Sequence, residues 1–225
     1  MSTTNTRWRS KLAVRRGLLA YARRQAAYWR KKKARAKRHT DDWSHAGSML
    51  ADREKKVAQR EEQVAAAQRV LARNTPKPLR ERAYLEAMKL VGVMEHGGNN
   101  VGAAVEQIIR EGGGVRGQAW CGWFMAAVYK RAGSKAISWQ MGAVRLWLGI
   151  AGVRRTSKPK RGDVVRFTFD HMGMFVRDRG DGTIETIEGN TGASGAVSDS
   201  ATGGDGVYRK TRSKSLVRDY LQVYR

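Results

Sequence analysis

The stretch that decides the fold is residues 163–191, DVVRFTFDHMGMFVRDRGDGTIETIEGNT. Val165, Phe167 and Phe169 alternate with other residues, and so do Met172, Met174 and Val176, which is the period-two pattern of β-strands. Asp181-Gly182 is a hairpin-turn pair, and it joins a strand at 171–178 to one at 183–188. Toward the C-terminus, residues 191–206 read as a Gly/Ser/Asp loop, and residues 207–212 and 217–224 supply further strands. Toward the N-terminus the pattern is helical, with helices expected at 79–93, 101–110, 119–132 and 140–149. Helices followed by strands predict an α+β domain, with helices packed on an antiparallel sheet.

Before residue 79 the chain changes character. Residues 8–38 read as one basic helix, on which Trp8, Leu12, Leu19, Ala22, Ala26 and Trp29 form a stripe at helical spacing. Asp41, Asp42 and Ser44 mark a break with N-cap chemistry. Residues 47–73 read as a second helix, where Leu50, Val57, Val64 and Leu71 recur every seven residues. The companion column, Arg53, Arg60 and Ala67 or else Glu54, Glu61 and Gln68, is poor, so the pair reads as a hairpin or a weak coiled coil. Two of the chain's three prolines, Pro76 and Pro78, then end the helical pattern. The organisation expected is a basic helical arm over 1–74, a linker over 75–79 and a domain over 80–225.

Charge follows the same division. The net charge is +24. Residues 1–40 hold 14 Lys and Arg and no Asp or Glu; residues 41–80 hold 8 and 6; residues 81–225 hold 22 and 14. Of the 25 glycines, 23 follow residue 80, so most of the charge and most of the glycine belong to different parts of the chain. Arg15, Arg16, Arg23, Arg24, Lys31, Lys32 and Lys33 are the candidate polyanion-binding residues. Their expected partner is an anionic wall polymer or membrane surface. Nucleic acid is less favoured, because no base-reading motif accompanies the charge.

Several classes are excluded. A single cysteine rules out an intramolecular disulfide framework and any zinc site built on several thiolates. The four histidines form no H-E-x-x-H pair, and neither metal nor cofactor is expected. No apolar run is long enough to span a bilayer. The basic N-terminus lacks the apolar core of a secretory signal, which predicts a protein that stays in the cytoplasm or leaves by another route.

The lone cysteine lies in Gly117-Gln118-Ala119-Trp120-Cys121-Gly122-Trp123-Phe124-Met125. A solitary cysteine is most often a small buried hydrophobe. Glycines at 112, 113, 114 and 117 stop just before a helical pattern, however, which places Cys121 in a first turn, where exposed N–H groups and the helix dipole favour a thiolate. His171 opens a strand, and Gly173 on the same face leaves space beside its imidazole. Glu188 and Asn190 end the neighbouring strand. The set supplies a nucleophile, a base and two orienters, the types that cysteine acyl transfer needs. Asp170 points to the opposite face from His171, and His96 reads as structural. Trp120, Trp123, Trp139 and Trp147 read as core, with Trp120, beside the thiol, the candidate wall of a substrate groove. Gln118 is a candidate oxyanion donor, as is the backbone N–H of Cys121.

Five blocks in order, Glu95-His96-Gly97-Gly98-Asn99-Asn100-Val101-Gly102, Gly117–Cys121, Gly162–Val165 with His171–Gly173, Thr186–Thr191 and Gly204–Arg209, resemble the CHAP family, the cysteine, histidine-dependent amidohydrolases/peptidases common in phage endolysins. The likeness runs from about residue 84 to the C-terminus. It implies a papain-like fold and a peptidoglycan hydrolase that cleaves an N-acetylmuramoyl-L-alanine amide or a peptide bond. Cys121 would be the nucleophile, His171 the general base and then acid, Glu188 the orienter and Asn190 an accessory polar group. Gly122 departs from the alanine frequent in the family and leaves that chemistry intact. Some relatives bind calcium near the domain's start; no acidic cluster stands there, and none is expected. The setting implied is host bacterial cytoplasm before lysis, then the cell wall, with a virion-associated lysin as the second setting. The contrasting expectation is a non-catalytic polyanion binder whose CHAP-like domain is inert.

Overall fold

The computed structural model describes residues 3–38, 40–136, 138–193 and 204–225. The chain divides into two compact units, one ending at Pro76 and the other running from Lys77 to Arg225.

The amino-terminal unit is an antiparallel helical hairpin of α1 (Thr3–Arg35) and α2 (Asp41–Asn74). Thr40 caps α2 by accepting a hydrogen bond from the Trp43 N–H, and Asp41 and Asp42 in the first turn complement the helix dipole. That cap starts the helix six residues before the expected start at residue 47. Leu12, Leu19 and Ala26 are buried, as are Ala46 and Ala67, while Leu50, Val57, Val64 and Leu71 are half-buried. Arg53 and Arg60 are half-buried too, whereas Glu54, Glu61 and Gln68 are exposed, so of the two candidate companion columns the first lies along the seam. Arg15 to the Gln63 carbonyl (3.0 Å), Arg23 to Glu61 (2.8 Å) and Arg30 to Glu54 (2.7 Å) fix the antiparallel register.

The second unit is α+β. Helices α3 (Leu79–Leu90), α4 (Ala103–Gly112) and α5 (Cys121–Arg131) precede two 3₁₀ turns, Trp139–Gly142 and Val144–Gly149, and six strands. The strands are β1 (Val153–Thr156), β2 (Val164–Phe167), β3 (Met172–Asp178), β4 (Thr183–Thr191), β5 (Gly206–Ser213) and β6 (Val217–Val223). They form one antiparallel sheet in the order β1-β6-β2-β3-β4-β5. Part of the loop expected at 191–206, residues 194–203, lies outside the described residues.

Two expectations change. The segment 140–149 is a pair of 3₁₀ turns rather than one helix, broken at Ala143, whose backbone is extended (φ −102°, ψ 113°). Strand β1 carried no alternating apolar signal, because it is an edge strand that exposes Arg154 and Arg155.

The core explains where the site sits. Every residue of α5 from Cys121 to Tyr129 is buried, and the helix lies between α3, α4 and the sheet. A second cluster, Val165, Phe167, Phe175 and Ile184, is separate from this main core. Gly189 in β4 permits the close approach of α5, since a Cβ there would meet Phe124 at 2.6 Å and Trp120 at 2.9 Å. Among the described residues no helix is long and apolar enough to cross a membrane.

Candidate active site

Cys121 is the first residue of α5, with Trp120 at the N-cap. The first intrahelical bond is Phe124 N–H to the Trp120 carbonyl (2.7 Å). The N–H groups of Cys121, Gly122 and Trp123 therefore start the helix without intrahelical partners. The thiol is buried, with 6% of the residue exposed. Gly122 is fixed by packing: a Cβ there would stand 2.3 Å from the Met141 carbonyl oxygen and 2.8 Å from that of Gly142. The 3₁₀ turn carrying Met141 and Gly142 thus presses on the helix start, and the departure from alanine has a local steric cause.

His171 precedes β3 and is 2% exposed. Its ring stacks on Phe167 (5.8 Å between centroids) and Phe169 (5.9 Å). Its Nε2 lies 3.0 Å from Glu188 Oε2, and Cys121 is the other side chain that acts on the imidazole. The space at Gly173 is filled by Glu188: a Cβ at residue 173 would stand 2.6 Å from Glu188 Cγ. The glycine therefore admits the orienting carboxylate. Gly173→Ala is expected to displace Glu188 and to lower kcat about 10²-fold with little change in KM; kinetics on soluble muropeptides would check this.

Glu188 is fully buried and fully engaged. Oε1 accepts from the Thr186 hydroxyl (2.5 Å) and Arg212 Nε (3.1 Å), and Oε2 accepts from Arg212 Nη2 (2.7 Å). Arg212 is itself 1% exposed, and its guanidinium lies over Phe167 and Phe169. The result is a continuous series from thiol to imidazole to carboxylate to guanidinium. Burial favours the neutral carboxyl and the neutral imidazole. For Glu188, hydrogen bonds from His171 and Arg212 outweigh burial and hold the carboxylate down to about 2. For His171, burial is likewise outweighed by the hydrogen bonds with Cys121 and Glu188, and the imidazole is pushed up to about 9.

The other expected site residues lie differently. Asn190, buried and in the left-handed region (φ 57°) that asparagine tolerates, does not share the hydrogen bond between His171 and Glu188. With its side-chain amide oriented to match its neighbours, the oxygen accepts from Trp120 N–H (2.9 Å) and the nitrogen donates to the Gly204 carbonyl (3.0 Å) and Asn100 Oδ1 (3.3 Å). It ties the residue before the thiol to two loops. Trp120 is fully buried, packed on Phe124, with its indole N–H on Glu95 (2.8 Å). It offers no wall to a substrate groove. The exposed tryptophan is Trp139, at 78%. Gln118 is exposed, but its amide oxygen accepts from Val115 N–H (3.0 Å) and Trp123 Nε1 (2.9 Å), so only its amide nitrogen is turned outward as a donor. Asp170 and His96 are exposed.

In the amino-terminal unit, Arg16, Arg24 and Lys31 are exposed and make no ion pair among the described residues. Arg15 is turned into the helix seam, and Arg23 is paired with Glu61. Lys32 lies over Trp29 and Lys33 over Trp43.

Arg212, Thr186 and Glu95 complete the site without a signal of their own in the sequence pattern. Thr186 and Glu95 stand in the quoted blocks, two residues before Glu188 and one before His96, but proximity alone assigns them no partner. Arg212 sits in the basic run of β5, which reads as a solvent-facing strand. Among the described residues no group of three or more His, Cys, Asp or Glu could hold a metal ion.

Comparison with known families gives a match of residues 113–190 to the CHAP domain. Residues 113–190 of the second unit thus match the family of cysteine, histidine-dependent amidohydrolases/peptidases. The matched span contains Cys121, His171, Glu188 and Asn190. Comparisons with curated proteins and with solved structures give no match.

Proposed function

We propose that this protein is an endolysin-like peptidoglycan hydrolase that cleaves an amide bond by acyl transfer to Cys121. The observation that carries the reading is the buried hydrogen bond between His171 and Glu188 (3.0 Å), with Cys121 beside the imidazole at the start of α5. A base held this way by a carboxylate and set against a thiol at a helix start is suited to nucleophilic catalysis.

In this mechanism the proton of the Cys121 thiol already resides on His171, and Cys121 Sγ bonds to the substrate carbonyl carbon. The oxyanion is received by N–H groups at the start of α5, with Gln118 Nε2 as a further donor. His171 then protonates the leaving nitrogen as the C–N bond breaks. Water attacks the thioester, giving up its proton to His171, and the carboxylic acid product and the thiol are released. Glu188 stays ionised and orients the imidazole throughout. The amino-terminal unit, with its surplus of cations, concentrates the enzyme on an anionic surface of the wall or membrane.

Digestion of purified peptidoglycan tests the reaction class. The reading expects new free amino groups without new reducing sugars; reducing sugars alone would refute it. The pH profile tests the acid role of His171. Because its pKa is raised, the protonated form persists through neutrality and is lost as pH rises through about 9. Activity on soluble muropeptides should therefore fall on the alkaline side near pH 9, rather than near the 6.5 of an ordinary histidine.

A further inference from the structure

Helix α1 carries two apolar stripes, and α2 covers one of them. Leu12, Leu19 and Ala26 are buried in the hairpin seam. Val14, Leu18, Tyr21 and Tyr28 recur at helical spacing on another side of the helix, about 100–155° around from that seam. They are exposed by 64%, 41%, 56% and 54%, and they are all of the exposed large hydrophobics of the amino-terminal unit among its described residues.

The charges around this second stripe are one-sided. Arg7 and Lys11 continue it at its amino-terminal end and Arg35 at its carboxy-terminal end, and Arg24 and Lys31 flank it on one side, none of them in an ion pair among the described residues. The carboxylates of α2 that do reach α1, Glu54 and Glu61, are bound to Arg30 and Arg23 on the far side of the seam. The acidic groups are thus turned away from the stripe and the basic ones frame it.

We propose that the Val14–Tyr28 face of α1 docks on an anionic lipid bilayer. This deepens the reading of the arm as a surface anchor, and it does not depend on the catalytic reading. A soluble polyanion would satisfy the cations but leave four large apolar side chains in water. A bilayer interface takes both: aliphatic groups enter the acyl boundary, tyrosine rings sit at headgroup level, and flanking cations meet lipid phosphates.

The test uses the full chain and vesicles of equal parts phosphatidylglycerol and phosphatidylcholine, with soluble poly(glycerol phosphate) as the comparison polyanion. The variant Val14→Gln/Leu18→Gln/Tyr21→Gln keeps every charge and uses a good helix former at exposed positions; circular dichroism checks that it remains helical. The wild type should bind the anionic vesicles, and the variant should bind them at least about tenfold more weakly while holding the soluble polymer unchanged. Equal binding of vesicles by variant and wild type would reduce the face to simple charge attraction and overturn the proposal. A wild type that binds the polymer but no vesicles would overturn it in favour of a wall polymer.

Discussion

Cys121→Ala is expected to lower hydrolysis of purified cell wall by at least about 10³-fold and to leave the fold in place. The side chain is small and buried at the start of α5, so the substitution removes one sulfur atom from a site where alanine fits a helix. What disappears is the only thiol in the chain. His171 and Glu188 would keep their hydrogen bond but have no nucleophile to serve. Lysis measured by turbidity, together with a melting temperature, separates the two effects. Undiminished lysis by the variant would end the catalytic reading, and a collapsed melting transition would show a structural role instead.

Arg212→Met is expected to have the second largest effect, on activity and stability together. Methionine spares much of the packing over Phe167 and Phe169 but leaves Glu188 buried with one cation fewer. Breaking one side of a buried ion pair costs about 3–5 kcal/mol. The misplaced carboxylate should also lower kcat about 10²-fold through His171. Arg212→Lys restores a charge without the planar fork, so partial recovery is expected. The double variant Glu188→Gln/Arg212→Met removes both charges and should recover stability without activity. The pH sign is defined. Glu188 is held below its ordinary value, so its contribution to stability is present above about 4.5 and is lost as pH falls toward 2. Without Arg212 the carboxyl pKa rises, and acid unfolding should begin at a higher pH. Urea titrations across the acid range would check this.

These two residues also mark what was legible in the sequence. Cys121, His171 and Glu188 could be found because each stands in a local pattern: a glycine-terminated helix start, a strand opening and the strand paired with it across Asp181-Gly182. The turn is made as that dipeptide suggests, with the Asp181 carboxylate accepting from the Thr183 N–H (3.1 Å) and Gly182 at φ 82°. Arg212 could not be found in this way. Its strand, Gly206–Ser213, is rich in basic residues, and only the pairing of β5 with β4 carries Arg212 to Glu188, 24 residues away. Trp120 departs from the expectation of a groove wall for a related reason. A large aromatic beside a thiol resembles a groove wall, whereas Glu95, 25 residues earlier, satisfies its indole N–H and lets it be buried whole. The hairpin was half legible: the Leu50–Leu71 column was clear, and the arginines opposite hid the seam because their charge masks how far the stems are buried.

The central claim is that Cys121 carries the acyl group during turnover. Its most direct test is mass spectrometry of the full chain, acid-quenched while it digests soluble muropeptides, followed by peptide mapping. The expected result is an adduct equal in mass to the acyl half of the substrate, mapped to Cys121 and absent from Cys121→Ala. An adduct on another residue, or turnover that continues after Cys121 is alkylated, would contradict it.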